Sequence, residues 1–372
     1  MDLKTKRLDV FVIGGGPAGL AAAIAARRKG FTVTVADGAE PPIDKPCGEG
    51  VMPETREALR ELGVELPASR GFWLRGIQFV EGGVQVGAAF PQGQGIGVRR
   101  PLLHESMLLE AERIGVNFLW RTPACGLGLN GVEICGRTLR ARWIIGADGV
   151  GSRVRRWGGL EGTRQQSQRS AVRRHYRVRP WSEYMQIHWG PRSQAYVTPI
   201  AGEEVCIVVM GETSGDTNFE TTLAALPELR ERLSGAAVVG RERGAISAMH
   251  TLRRVWRGNV ALVGDASGGV DAITGEGLRL AFRQAQHLAE ALQAGDLESY
   301  QRAHRRLARR PMWMGKLMLQ LGKHPETRAR VMRAMQNRPE LFARLLAVFA
   351  GRATAGKAIA TGAELGWRFL AA

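Results

Sequence analysis

The chain has few cysteines and no apolar run long enough to span a bilayer. Its four cysteines, Cys47, Cys125, Cys135 and Cys206, show neither C-x-x-C pairing nor histidines at metal-ligand spacing. We therefore expect free thiols in a reducing compartment and no bound metal. The basic start leads directly into a short strand-like run, which is not typical of a signal peptide, so we predict a cytoplasmic protein.

Acidic residues are also scarce, because 52 lysines and arginines face 35 aspartates and glutamates, for a formal net charge of +17. Such an excess indicates an anionic partner. The arginines are scattered through every segment and accompany no nucleic-acid-binding motif, so we predict no nucleic acid partner. An anionic cofactor and a membrane surface explain the charge better.

A glycine-rich turn between two strand patterns is the strongest motif that is present. Gly14, Gly16 and Gly19 form G-x-G-x-x-G after a buried strand over 10–13 and before a helix over 18–29. The first glycine permits a tight turn, the second lets a backbone approach a pyrophosphate, and the third lets the helix pack on the strand. Asp37 ends the next strand, where it can accept hydrogen bonds from ribose hydroxyls. The pattern predicts a Rossmann-like dinucleotide site.

Two further glycine-acid turns follow strands later in the chain. The first is Gly146-Ala147-Asp148-Gly149. The second begins with Gly264-Asp265 and continues to Gly275 and Gly277, immediately before a helix that starts near Leu278. A simple dinucleotide fold needs only one such turn, so the other two indicate a cofactor that continues beyond the pyrophosphate.

The three turns, in this order, resemble the fingerprints of the FAD-dependent hydroxylase superfamily, which includes p-hydroxybenzoate hydroxylase and the geranylgeranyl reductases. The resemblance covers roughly residues 8–295 and includes the pattern of Arg100, Leu103, Met107, Ala111 and Gly115. It implies an α/β fold with a Rossmann-like FAD-binding domain, an inserted β-sheet substrate domain and a helical C-terminus. We assign residues 1–71, 99–160 and 251–300 to the FAD-binding domain, 72–98 and 161–250 to the substrate domain, and 301–372 to C-terminal helices.

The resemblance also implies FAD as cofactor, NAD(P)H as electron donor and a set of cofactor-binding residues. At the pyrophosphate and adenosine ribose these are Gly14, Gly16, Pro17, Ala18, Gly19, Asp37 and Gly38. Around the ribityl chain and flavin they are Cys47, Gly48, Arg100, Asp148, Gly149, Gly264, Asp265, Gly275, Glu276 and Gly277. Backbone N–H groups at the helix start after Gly275 would stabilise negative charge on reduced flavin. The alternatives are a solvated Arg100, and capping or turn roles for Asp148 and Asp265.

The sequence departs from the family at the third turn. Many hydroxylases have GDAAH there, whereas this chain has Gly264-Asp265-Ala266-Ser267-Gly268, without the histidine. The W-x-W-x-I-P box of flavin halogenases is absent, which excludes halogenation.

Two flavin reactions fit the sequence. The Arg100 helix and the glycine-acid turns resemble hydroxylases most, so we predict a monooxygenase that uses NAD(P)H and oxygen on a lipophilic or aromatic small molecule. Lys45-Pro46-Cys47-Gly48-Glu49-Gly50 resembles the K-x-C-G-G element of geranylgeranyl reductases, in which the cysteine faces the flavin. The alternative is therefore reduction of isoprenoid C=C bonds, with Cys47 as a catalytic proton donor. Cys47 as a packing thiol, and a non-catalytic flavin-binding protein, are the remaining alternatives.

The substrate cavity and the C-terminal helices are predicted from residue type alone. We expect His188, Trp189, Tyr196 and Pro199 to line the cavity, the alternative being ordinary sheet packing. Arg302, Arg305, Arg306, Arg309 and Arg310 precede MWMGKLMLQLG, which indicates either peripheral membrane contact or a helix that covers the core and keeps its arginines in water. The sequence predicts no oligomeric state.

Overall fold

The computed structural model describes residues 8–128, 131–212 and 218–353, apart from the side chains of 163–166. Its strands are β1 (Leu8–Ile13), β2 (Val33–Ala36), β3 (Gly50–Val51), β4 (Phe72–Leu74), β5 (Gly76–Glu81), β6 (Val84–Ala89), β7 (Gly95–Gly97), β8 (Asn117–Leu119), β9 (Ala124–Gly128), β10 (Gly131–Ile134), β11 (Arg137–Gly146), β12 (Thr163–Arg177), β13 (Tyr184–Trp189), β14 (Ser193–Ala201), β15 (Glu204–Glu212), β16 (Ala237–Leu252), β17 (Trp256–Arg257) and β18 (Val260–Leu262).

Its helices are α1 (Pro17–Arg28), α2 (Pro53–Glu61), α3 (Arg100–Arg113), α4 (Arg153–Trp157), α5 (Phe219–Ala224), α6 (Pro227–Arg232), α7 (Gly277–Ala294), α8 (Leu297–Lys323), α9 (Pro325–Gln336) and α10 (Pro339–Ala350). Single 3₁₀ turns lie at Gly264–Ser267 and Ala272–Thr274. The predicted helical segment beyond residue 353 lies outside the described residues.

The first sheet has β1 near its centre, in the order β17-β18-β11-β1-β2-β8. All neighbouring pairs are parallel except β17 with β18. Residues 10–13 are buried, as expected for a β-branched and aromatic run covered on both faces. Helices α1, α3 and α7 pack together beside this sheet. The predicted α/β class with a Rossmann-like sheet is confirmed.

The parallel strands place the three glycine-acid turns at one edge of this sheet. Strands β1, β11 and β18 run in the same direction and end at Ile13, Gly146 and Leu262. The carboxyl ends of parallel strands lie together, and ligands of open α/β sheets bind there. The turns that the sequence analysis identified therefore converge on one side of the protein.

The second sheet has seven strands in the order β16-β12-β15-β14-β13-β5-β6, and only β13 with β5 is parallel. Gly82 and Gly83 form the hairpin turn between β5 and β6. One face is covered by α5 and α6, and the other packs against Met314 and Met318 of α8. A small sheet of β3, β7 and β4 contacts β14 of this sheet on one side and α2 on the other.

Proline and glycine set the ends of several helices. Pro227 separates α5 from α6, because it cannot donate the hydrogen bond that would continue α5. Helix α7 continues to Ala294 and ends at Gly295, which has the left-handed conformation typical of a helix C-terminus. The strands of the proposed FAD-binding domain and those of the proposed substrate domain belong to different large sheets. This supports the proposed domain division, which stays a prediction.

Candidate functional site

The first glycine turn contains two glycines that packing requires and one that faces open space. A Cβ on Gly14 would lie 2.4 Å from the Ala147 carbonyl oxygen, and one on Gly19 would lie 1.8 Å from the Gly14 oxygen. A Cβ on Gly16 would meet no atom within 4 Å. Gly16 caps the N-terminus of α1, whose free N–H groups suit an anion. The second glycine is therefore where a pyrophosphate can approach.

The remaining residues of this turn lie around the same helix start. Pro17 is the first residue of α1, and a Cβ on Gly264 would lie 2.6 Å from the Ala18 Cβ. Asp37 accepts hydrogen bonds from the Gly15 N–H at 2.6 Å and the Ala39 N–H at 2.7 Å. The first and third turns are thus in contact at Ala18. Asp37, which follows β2, is hydrogen-bonded to the first turn. Gly38, which follows Asp37, is exposed.

Two supporting residues of the turn were not predicted. The His104 Nε2 lies 2.9 Å from the Gly15 carbonyl oxygen, and burial lowers the pKa of His104 so that the ring is neutral. Since a carbonyl only accepts, Nε2 carries the proton and donates. The Trp120 ring lies 2.4 Å from where a Gly15 Cβ would be. His104 lies in the middle of α3 and Trp120 follows β8. Only their residue types could have indicated that they support the turn.

In the second turn, the carboxylate of Asp148 is hydrogen-bonded within the protein. Asp148 accepts hydrogen bonds from the Ser152 hydroxyl at 2.5 Å, the Arg153 N–H at 2.7 Å and the Val154 N–H at 3.1 Å. It caps α4, which is the alternative left open by the sequence. Gly149 adopts φ +84°, and a Cβ there would lie 3.5 Å from the Lys45 ammonium. Contact of Asp148 and Gly149 with a pyridine nucleotide stays a prediction.

The third turn offers a free acid and a helix start. Asp265 is exposed, and no hydrogen bond to its carboxylate is found among the described residues. Gly264 donates its N–H to Gln284 at 2.8 Å. The capping alternative therefore does not apply to Asp265, whose carboxylate is available to the ribityl hydroxyls.

Helix α7 begins after this turn. Gly275 is left-handed (φ +65°), Glu276 is the N-cap, and a Cβ on Gly277 would meet nothing within 4 Å. Burial raises the pKa of Glu276, and its neighbour Arg279 forms an ion pair with it that opposes this. The open helix start can place N–H groups against a flavin edge.

We use the term cofactor groove for the predicted cofactor site, which comprises the starts of α1 and α7, Asp265, Arg100 and Cys47. Arg100 is only 9 % exposed, so it is not the solvated arginine of the alternative. Its Nη1 lies 3.8 Å from the Cys47 Sγ, and its buried Nε has no partner among the described residues. A buried guanidinium without an acid is unfavourable, and a cofactor phosphate would satisfy it. Gly48 adds open space, because a Cβ there would meet no atom within 4 Å.

A buried acid that sequence reasoning missed follows Cys47. The metal-ligating atoms of Glu49, His175 and Cys206 lie within 4.8 Å of one another. His175 lies 2.7 Å from the Glu49 carboxylate, and Arg173 donates to the same group at 3.1 Å. A cationic guanidinium at this distance competes with a metal ion, so we assign these residues to a hydrogen-bond network. The available signal was that Glu49 stands where the K-x-C-G-G element has glycine.

The structure separates the four predicted substrate residues. Trp189 and Tyr196 share the inner face of the second sheet with Met314 and Met318 of α8. His188 points to the opposite face, because successive strand residues alternate, and there it lines a cavity of about 850 Å³ with Trp181 and Arg232. Burial and Arg232 lower the pKa of His188 to about 4. His188 and Trp189 therefore line different cavities, and contact of either residue with a substrate stays a prediction.

Pro199 contributes backbone rather than a cavity wall. Its carbonyl oxygen lies 1.8 Å from where a Gly97 Cβ would be, so β14 and β7 approach closely there. The preceding Thr198 is buried, and its hydroxyl has no partner among the described residues.

A larger cavity, of about 1190 Å³, extends from the inner face of the second sheet to α8. Trp189, Met249 and Leu319 give it apolar walls, and Arg169 and Gln194 give it polar groups. Arg169 donates to Asp271 at 3.3 Å and to Gln194 at 2.9 Å. Asp271 belongs to the loop before α7, so Arg169 connects the wall of this cavity to the loop that carries Gly275.

We predict that Gly16→Ala and Gly19→Ala separate cofactor binding from folding. Gly16 has an ordinary extended backbone and an open side, so its alanine variant should unfold within about 1 kcal/mol of the wild type but bind FAD at least about tenfold more weakly. Gly19→Ala forces a methyl group against the Gly14 carbonyl and should lose about 3 kcal/mol. Urea unfolding and FAD titration measure both. Tight FAD binding by Gly16→Ala would contradict the site.

Comparison with known proteins agrees with this geometry. A family model described as FAD binding domain matches residues 123–308, which is half of the chain. A model for pyridine nucleotide-disulphide oxidoreductase matches residues 8–163. Menaquinone reductase of Mycobacterium tuberculosis strain H37Rv is 29% identical over 327 residues, covering 78% of this chain and 77% of that protein. Ubiquinone hydroxylase UbiL of Rhodospirillum rubrum is 27% identical, covering 78% and 73%.

A solved structure shows the same fold. The crystal structure of p-nitrophenol 4-monooxygenase PnpA from Pseudomonas putida superposes with a TM-score of 0.80 at 19% identity, covering 93% of this chain and 98% of that one. The predicted superfamily, FAD as cofactor and NAD(P)H as donor are confirmed. The chain belongs to the FAD-binding-domain family and is an FAD-dependent oxidoreductase.

Proposed function

We propose that the protein reduces a carbon–carbon double bond of a lipophilic, isoprenoid-bearing small molecule, with NAD(P)H as the source of electrons. The observation that carries this is the position of Cys47. Its thiol is half-buried beside Arg100, in a loop that resembles the geranylgeranyl reductase element. The similarity to a protein named menaquinone reductase supports a reductase. The monooxygenase predicted from the sequence is the second candidate.

The residues of this chain would bind the cofactor and supply the proton. When bound and reduced by NAD(P)H, the flavin would supply a hydride to one carbon of the double bond. Gly16, the start of α1 and Arg100 would hold its phosphates, and Asp265 its ribityl hydroxyls. The Cys47 Sγ–H would give its proton to the second carbon, so that the bond gains one hydride and one proton.

The surroundings of Cys47 favour this proton transfer. The thiolate left behind would accept hydrogen bonds from the Glu49 N–H at 3.4 Å and from Arg100 at 3.8 Å. Because Cys47 is not fully buried, solvent can return the proton.

The substrate would enter the cavity between the second sheet and α8. Its volume of about 1190 Å³ exceeds that of typical sites for drug-sized molecules, so it accommodates a ring together with part of a prenyl chain. Apolar walls at Trp189, Met249 and Leu319 suit such a substrate, and Arg169 and Gln194 can orient an oxygen atom on it.

We predict that Cys47→Ala keeps FAD but loses reduction. In anaerobic turnovers with NADPH and menaquinone, the wild type should give a product with two added hydrogen atoms, and Cys47→Ala should form it about 100-fold more slowly because the acid is missing. Mass spectrometry of the extracted lipid, after air has reoxidised any quinol to the quinone, detects only hydrogen atoms that were added to a carbon–carbon bond. Cys125→Ala, at an exposed thiol, is the control and should match the wild type.

Other outcomes identify the other candidates. A product that gains an oxygen atom, and only when oxygen is present, would establish hydroxylation, which the similarity to ubiquinone hydroxylase favours. Bound FAD without any turnover would establish a non-catalytic flavin protein.

We also propose peripheral contact between α8 and an anionic membrane. Trp313 and Leu317 are 54 % and 37 % exposed and one helical turn apart. Arg306, Arg309 and Lys316 lie on the same side of the helix, and no acidic partner is found for them among the described residues. A basic stripe with exposed tryptophan and leucine suits the interface of anionic lipids. None of the helices described here is long and apolar enough to cross a bilayer.

We predict that replacing Trp313 and Leu317 together by serine abolishes binding to phosphatidylglycerol vesicles. The double variant should keep FAD, since the neighbouring Met314 and Met318, rather than these two residues, pack against the sheet. Cosedimentation at low and high salt measures binding. Leu109→Ser, at a position that is 60 % exposed on α3, is the control. Equal binding by the double variant and the control would contradict the proposal.

A further inference from the structure

Glu49 has two unfavourable features at once. Its backbone adopts φ +57°, a conformation that glycine adopts freely and other residues rarely do. Its carboxylate is fully buried, and a buried charge is unfavourable unless it is paired and hydrogen-bonded. Residues that combine strain with burial persist only where surrounding contacts enforce them, and they cluster at functional sites.

The carboxylate of Glu49 is satisfied by three donors. Its Oε1 accepts the Arg100 N–H at 2.9 Å and an Arg173 guanidinium N–H at 3.1 Å. Its Oε2 lies 2.7 Å from the His175 Nε2. Both oxygens of the Glu49 carboxylate therefore accept hydrogen bonds. Their donors lie where a metal ion bound to this carboxylate would have to lie.

The tautomer of His175 follows from its other neighbour. The His175 Nδ1 lies 2.8 Å from the Arg99 Nη1, and arginine only donates, so Nδ1 accepts. The single ring proton is therefore on Nε2 and points at Glu49. Arg99 is itself paired with Glu204, which fixes its position.

The network connects Cys47 to both sides of the cofactor groove. The Glu49 N–H donates to the Cys47 Sγ at 3.4 Å, and the Cys206 thiol donates to the Cys47 carbonyl at 3.7 Å. Through its carboxylate, Glu49 binds the first N–H of α3 and two side chains of β12. The turn that carries the thiol is thus fixed to the FAD-binding helix and to the substrate sheet together.

We propose that Glu49 is a positioning residue, which holds the Cys47 thiol and the Arg100 guanidinium in their places at the flavin edge. Arg173 supports the same turn from its other end, because it also donates to Asp44 at 2.8 Å. The role of Cys47 as proton donor rests on the proposed function, whereas the positioning of its thiol does not.

Two Glu49 variants and one control test this inference. Glu49→Gly removes the carboxylate and keeps a residue that tolerates positive φ, and Glu49→Gln keeps the shape but removes the charge. Glu110→Gln is the matched control, since Glu110 is also a buried carboxylate with two arginine partners, Arg28 and Arg113, but it lies remote from Cys47. Arg99→Ala is a milder variant at the half-exposed end of the network.

Alkylation of Cys47 by iodoacetamide in FAD-free protein, followed by peptide mass spectrometry, is the first readout. Both Glu49 variants should be alkylated about tenfold faster than the wild type, because the unanchored turn opens more often. Arg99→Ala should show a smaller increase, which keeps the inference testable if the Glu49 variants do not fold. Glu110→Gln should lower Tm without changing the rate.

Turnover by the loaded enzyme is the second readout. The Glu49 variants should lose about 100-fold in kcat, because the thiol is misplaced, while KM for NAD(P)H stays within about twofold. Alkylation of folded Glu49 variants at the wild-type rate would overturn the inference even if the reduced product forms. Faster alkylation in an enzyme that makes no reduced product would leave it standing and refute the proposed reaction instead.

Discussion

The common direction of three strands is the constraint on which the rest of the site depends. Because β1, β11 and β18 are parallel neighbours, their carboxyl ends place three distant glycine-acid turns side by side. The contact of Gly19 with the Gly14 carbonyl brings α1 close enough for its N-terminus to face the groove. Any slip of these strands would separate all three turns.

The second constraint is the set of ion pairs along β12. Arg169 holds Asp271 in the loop before α7, and Arg173 and His175 hold Glu49 in the loop before β3. One strand of the second sheet therefore holds both of the loops that we predict to lie at the flavin. Breaking one partner of such a buried pair is strongly unfavourable, so these pairs keep both loops in place.

The cofactor side could be predicted because its signals are local. Turn glycines such as Gly14 and Gly19 are required by backbone contacts within one strand–turn–helix unit, and the spacing of that unit is visible in sequence. The same locality explains why the start of α7 was predicted to within one residue. Asp148 shows the limit, since the same local pattern fits a helix cap as well as a ligand contact.

The substrate side could not be predicted, because it depends on pairing between distant segments. Strand alternation puts His188 on the opposite face from Trp189, but which face is inner depends on the register with β5 and β14. Two of the three donors to the Glu49 carboxylate come from β12, more than a hundred residues away. Its only local signal was an acid in place of a family glycine.

A crystal structure of the FAD-loaded protein tests the central claim most directly. The account predicts the pyrophosphate at Gly16 and the flavin ring between Cys47-Gly48 and Gly275-Gly277, with the Cys47 Sγ in contact with the ring. A flavin ring remote from Cys47, or phosphates bound away from the start of α1, would contradict it.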